Sequence, residues 1–115
     1  NPVAAPYGAA AVETMKALQV YDALKPKIVQ GESIAQAFEF VDTKNAEVGF
    51  VALSQLHAVT AGTRWEVPQN LYTPIRQDAV LLKTGADSEA SKAFIAFLKG
   101  PEARAIIERF GYALE

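Results

Sequence analysis

The feature that most constrains the fold is its punctuation. Apolar stripes at helical spacing alternate with short apolar runs, and Pro, Gly or a capping residue stands at most of the joins. Asn1-Pro2-Val3-Ala4-Ala5-Pro6 is predicted non-helical because its prolines disfavour helical geometry. From Tyr7 the pattern changes, and Ala11, Val12, Met15 and Leu18 mark one face of a helix of about three turns. A turn at Tyr21 to Leu24 leads to Pro26, and Lys27-Ile28-Val29-Gln30 reads as a short strand. Ser33 followed three residues later by Gln36 is a capping box, and Ile34, Ala37, Phe38 and Val41 form the apolar face behind it. That helix is predicted to end between Asp42 and Asn45.

Val48 to Leu53 is predicted to be a buried strand, with Gly49 allowing a close backbone approach. His57-Ala58-Val59 reads as a short strand or a helical turn, and Gly62 and Pro68 bracket a loop. Leu71 to Lys83 is predicted extended, interrupted by Pro74, with Ala79 to Leu82 buried. Asp87-Ser88 caps a helix with the stripe Ala90, Ala93, Phe94, Phe97 and Leu98. Gly100-Pro101 stops it and starts another, with the stripe Ala103, Ile106, Ile107 and Phe110 before Gly111. Helices alternating with short strands define an α/β class. The aromatic stripes are predicted to be core, and Trp65, beside Arg64 and Glu66, is predicted to pack over its loop.

A chain of 115 residues suffices for one domain with a core and is short for two. Eleven basic against thirteen acidic side chains give a net charge of −2, without the basic excess of a nucleic-acid surface. Apolar runs fall well short of the roughly 20 residues that span a membrane. The absence of cysteine excludes disulfides, zinc knuckles and thiol nucleophiles. The chain opens at Asn1 without Met or a signal peptide, as for a processed protein or a piece of a longer one.

Catalytic patterns are missing. His57 is the only histidine, Ser54 lies outside any Gly-x-Ser-x-Gly elbow, and there is neither a phosphate loop nor a dinucleotide fingerprint. Glu13, Glu32, Glu39, Asp42 and Glu47 are scattered and predicted to be solvated. Two turns do suggest anion binding. At Ala5-Pro6-Tyr7-Gly8 and at Glu32-Ser33-Ile34-Ala35 the chain enters a helix whose first N–H groups lack intrahelical partners. Such helix starts carry partial positive charge and take up oxyanions without a lysine. In open α/β sheets ligands gather beyond the carboxyl ends of the strands, where these turns lie. Each turn also has a plainer reading, with Ser33 as a cap and Tyr7 as packing beside Pro6.

These segments, taken in order, resemble the C-terminal half of the periplasmic molybdate-binding proteins of ABC importers. The resemblance spans nearly the whole chain. It rests on Asn1-Pro2 with Ala5-Pro6-Tyr7-Gly8, on Leu24-Lys25-Pro26-Lys27, and on Gly31-Glu32-Ser33-Ile34-Ala35-Gln36-Ala37. It continues through Asn45 to Gln55, Tyr72 to Ala79, and Phe97-Leu98-Lys99-Gly100-Pro101-Glu102-Ala103.

The resemblance implies one lobe of a type II periplasmic-binding-protein fold, with a hinge-crossing strand and C-terminal helices. Residues 1–70 would form the second ligand-binding lobe, and residues 71–115 the hinge-return strand and C-terminal helices, together one compact fragment. It implies backbone donors at Tyr7 and Ile34, with Pro6, Ser33 and Ala52 as neighbours. In some relatives a tyrosine hydroxyl adds a bond at the position of Ala52, which has none. Tyr7 substitutes only where its hydroxyl turns into the cleft.

The ligand implied is molybdate or tungstate, held through its oxygens, with no direct metal-ion ligands, no cofactor and no catalysis. The implied partners are an ABC membrane permease and an N-terminal lobe supplying hydroxyl donors, in the periplasm, with no nucleic acid. Without that lobe the chain is expected to expose apolar surface and to self-associate, swap or be marginally stable. Rival readings are the effector-sensing domain of a transcription regulator, a sulfate or phosphate carrier, and an enzyme using His57 or the carboxylates. An upstream helix-turn-helix marks the first, a sulfate-preferring cavity the second, and an activity lost in His57→Ala the third.

Overall fold

The computed structural model describes residues 1–3 and 5–114, so the part of the opening segment at Ala4 lies outside the described residues. The chain divides into two compact units, Asn1–Ile75 and the remainder from Arg76.

In the first unit α1 spans Pro6–Ala17 and α2 spans Tyr21–Leu24, followed by a 3₁₀ turn at Lys25–Lys27. Pro6 occupies the first helical position, where its missing N–H costs nothing, so the predicted non-helical opening ends one residue early. Thr14 and Met15 are the buried face of α1, and the Thr14 hydroxyl is satisfied by donating to the Ala10 carbonyl at 2.8 Å. α1 packs on α2 and on the 3₁₀ turn Gln69–Leu71. A carboxylate oxygen of Glu13 accepts from the Thr73 N–H at 2.6 Å, tying α1 to the residues after that turn.

α3 spans Ile34–Asp42, ending where the sequence places its end. Its cap forms as one arm of the predicted box: the Gln36 N–H donates to Ser33 Oγ at 3.2 Å. The return arm reaches one residue further out than the standard motif, with Gln36 Oε1 accepting from the Glu32 N–H at 2.7 Å. The close approach at Gly49 is made by a side chain and not by backbone, since a Cβ there would sit 2.6 Å from Val41 Cγ2 and the nearest main-chain atom, the Ala37 carbonyl oxygen, lies at 3.8 Å.

In the second unit α4 spans Glu89–Leu98 and α5 spans Pro101–Arg109, and the two pack together. Ser88 caps α4 by accepting from the Ser91 N–H at 3.2 Å. Gly111, at φ +84°, closes α5 in the left-handed conformation that glycine adopts without strain.

The predicted strands are corrected. Among the described residues no β-ladder forms. Lys27 closes a 3₁₀ turn instead of opening a strand, and Leu53 begins another 3₁₀ turn, Leu53–Leu56, which resolves His57-Ala58 as a turn. The backbone at Ile28, Ala52 and Leu82 is extended, but a strand also needs a neighbour about 4.8 Å away to exchange hydrogen bonds. The burial expected of these runs is corrected too: Val48 is 84% exposed, Val80 79% and Leu82 65%, whereas Ala52 is buried. The aromatic stripe of α4 is likewise not core, with Phe94 and Phe97 exposed. Trp65, expected to pack over its loop, is exposed as well.

Candidate functional site

The predicted site residues fall on two helix starts and one loop, all in the first unit. Pro6 is exposed at the first position of α1, and Tyr7, half-buried, supplies the first N–H of that helix. The Gly8 and Ala9 N–H groups turn back onto the Ala5 carbonyl at 3.0 and 3.2 Å. Ile34 is the half-buried first residue of α3, and Ser33 its exposed cap. Of the first N–H groups of α3, Gln36 is taken by Ser33 Oγ and Ala37 by the Ser33 carbonyl at 3.1 Å. Those of Ile34 and Ala35 donate to no described residue, so this helix start presents two adjacent N–H donors.

Asn1 draws the two turns together. Its nitrogen donates to the Gly31 carbonyl at 3.1 Å, across thirty residues, just ahead of the α3 cap. Its carbonyl accepts from the Ala5 N–H at 3.0 Å and its Oδ1 from the Val3 N–H at 3.1 Å, which closes the turn delivering the chain into α1. Two glycines make this approach sterically feasible. A Cβ on Gly8 would lie 2.6 Å from the Asn1 carbonyl carbon and oxygen and 2.7 Å from the Pro2 nitrogen. A Cβ on the buried Gly31 would lie 2.8 Å from the Ala37 nitrogen. In both cases the obstruction is main chain, which cannot rotate aside.

Ala52 is buried and offers only a methyl group, so its side chain adds no donor. It is nevertheless joined to α3 through Gln55, a half-buried residue. Gln55 Oε1 accepts from the Ala52 N–H at 3.0 Å, while Gln55 Nε2 donates to the Ile34 carbonyl at 3.3 Å.

The electrostatic setting differs from that of the other helices. α2, α4 and α5 each carry an acidic residue in the first turn, at Asp22, Glu89 and Glu102, which offsets the positive end of the helix dipole. α1 and α3 carry none, although Glu32 stands exposed one residue ahead of the α3 cap. Neither turn contains Lys or Arg. Neither first turn therefore carries an acidic side chain, and the α3 start offers neutral backbone N–H donors. Among the described residues no cluster of His, Cys, Asp and Glu could hold a metal ion, and no helix is long and apolar enough to cross a membrane.

The sequence places both helix starts, whereas Ala52, expected on a strand, lies in a loop. Its helix and strand patterns do not indicate the Asn1 to Gly31 bond, the close contacts at Gly8 and Gly31, the first turns without acidic residues or the Gln55 bridge. The signals were available: an Asn two residues before Val3 forms an Asx-type turn, and Gln55 stands three residues after Ala52, at capping-box spacing.

The sequence profile of the bacterial extracellular solute-binding proteins matches residues 1–113, and the chain belongs to that family. Within it the similarity narrows to molybdate-binding proteins. The chain is 58% identical over 115 residues to the molybdate-binding protein ModA of Rhodobacter capsulatus, covering 100% of this chain and 46% of the relative. It is 52% identical to ModA of Azotobacter vinelandii, covering 100% and 47%. The solved periplasmic molybdate-binding protein of Azotobacter vinelandii superposes with a TM-score of 0.89 at 38% identity, covering all of this chain and 52% of that one. The fold is thus that of part of a type II periplasmic binding protein, as the resemblance predicts. The chain spans about half the length of the curated relatives it matches.

Proposed function

We propose that this chain carries, within residues 1–70, the second ligand-binding lobe of a periplasmic carrier that delivers molybdate or tungstate to an ABC importer. The observation that carries the proposal is the pairing of two helix starts, α1 and α3, joined through Asn1 and both lacking an acidic residue in the first turn. The Tyr7 and Ile34 N–H groups are the donors, with Pro6 and Ser33 setting the entry of each helix. An N-terminal lobe supplies hydroxyl donors to the other face of the anion, and closure of the lobes over the ligand creates the form that the membrane permease recognises. The names of the relatives support the ligand class.

The task is binding, not catalysis, and needs no cofactor. A tetrahedral dianion docks on neutral donors that require no proton transfer, and each charge-assisted hydrogen bond is short and strong. With no full positive side-chain charge at the two turns, selection among oxyanions falls to cavity size. Titrating the full-length protein calorimetrically with molybdate, tungstate, sulfate and phosphate tests this. Tight binding of the two larger anions and weak binding of the smaller ones is expected. Tight sulfate binding without molybdate binding overturns the assignment.

A further inference from the structure

We propose that Gln55 is a positioning residue for the anion site, holding the first residue of α3 at the distance and angle its donors require. The inference rests on the oxyanion reading of that turn and deepens it. The carboxamide of Gln55 faces two main-chain groups at once. Its Oε1 takes the Ala52 N–H at 3.0 Å and its Nε2 donates to the Ile34 carbonyl at 3.3 Å, twenty-one residues away. The Gln55 N–H in turn donates to the Ala52 carbonyl at 3.0 Å, so side chain and backbone both close on Ala52. The residue is half-buried and Ala52 is buried, so the bridge starts from a fixed point.

The consequence follows from peptide geometry. The Ile34 carbonyl and the Ala35 N–H belong to one rigid, planar unit and point in opposite directions. Pulling the carbonyl toward Gln55 therefore aims the Ala35 N–H away from it and fixes the Ile34 main chain between two peptide planes. Accepting a hydrogen bond at that carbonyl also polarises the Ala35 N–H and strengthens it as a donor. The Ala35 N–H and, on the preceding peptide plane, the proposed Ile34 donor are the N–H groups at the start of α3 that meet no described acceptor. Gln55 does not touch the anion. It acts by denying the helix start its freedom to turn, so the donors are set before the ligand arrives.

The test uses the full-length protein and three measurements: molybdate affinity, ligand-free thermal midpoint and backbone amide resonances. Gln55→Met keeps the length of the side chain and removes both arms. It is expected to weaken molybdate binding about five- to tenfold, the scale of one neutral hydrogen bond. The molybdate-induced shifts at Ile34 and Ala35 should shrink while that at Tyr7 persists. Gln55→Glu retains the arm to Ala52 and loses the donor to Ile34. Its readout is the ligand-free spectrum, because the added charge weakens anion binding by itself: the Ala52 amide should stay in place and the Ala35 amide should move. Wild-type protein that binds no molybdate overturns both this inference and the reading beneath it. Wild-type binding with Gln55→Met within twofold and unchanged Ile34 and Ala35 shifts overturns the positioning role alone. Should Gln55→Met fail to fold, an unmoved Ala35 amide in Gln55→Glu overturns it equally.

Discussion

At the scale of single residues, two positions beside the proposed site have no side chain. Gly8 and Gly31 let main chain meet main chain at distances no Cβ tolerates. Gly8→Ala is expected to push Asn1 and Pro2 off α1, weakening molybdate binding in the full-length protein by more than about tenfold and costing about 1–3 kcal/mol of stability. Calorimetric titration and denaturant unfolding check the two effects separately. The opposite outcome is expected at Tyr7. Because its proposed contribution is a main-chain N–H, Tyr7→Phe should leave molybdate affinity within about twofold of wild type. A larger loss would assign the anion contact to the hydroxyl.

At the scale of elements, the contrast in first-turn charge can be tested directly. Ala35→Asp puts a carboxylate in the first turn of α3, the kind of residue α2, α4 and α5 already carry. The prediction has opposite signs in two measurements. The ligand-free protein should gain about 0.3–1 kcal/mol from the helix dipole, while molybdate affinity falls by about tenfold or more. Thermal melting without ligand and titration with ligand separate them.

The same scale shows what the sequence could convey. α1, α3, α4 and α5 were legible because their starts are local events: Pro6 at a first helical position, Ser33 and Ser88 as caps, Gly100-Pro101 as a stop and restart. Apolar character predicts buried strands at Val48 and at Val80 to Leu82, but both runs are exposed and form no ladder among the described residues. Strand identity and burial belong to a pair of segments, whereas apolar character belongs to one. The helix starts at Tyr7 and Ile34 were likewise legible locally, but the joining of those starts depends on an Asn1 to Gly31 bond that no local pattern encodes.

At the scale of the whole molecule, little apolar surface is enclosed. Met15, Ala52 and Ala103 are the buried apolar side chains among the described residues, and Val80, Leu82, Phe94, Phe97 and Ile106 stand exposed in the second unit. There an open groove of about 600 Å³, lined by Ala79, Val80, Leu81, Phe94, Ile95 and Leu98, runs beside α4. Contiguous exposed apolar surface of this kind marks a face that covers itself when it can. The 115-residue chain on its own is therefore expected to self-associate. Light scattering behind size-exclusion chromatography should show a mass that rises with concentration, and a hydrophobic dye should bind it. A monodisperse monomer across the concentration range would contradict the expectation. The full-length protein should remain monomeric in the same experiment.

The close approach at Gly8 and Gly31 has a consequence for how such sites are found and altered. A carrier that reads its cargo with main-chain atoms leaves almost no chemical signature in its alphabet. Two chains can differ at every donor residue and still present the same receptor, provided the backbone path is kept. Changing what the site accepts therefore means redrawing that path. At the proposed site the design handles would be residues that do not meet the ligand: two hydrogen atoms in place of side chains, an asparagine at the mouth of the first helix, and one glutamine beside the second.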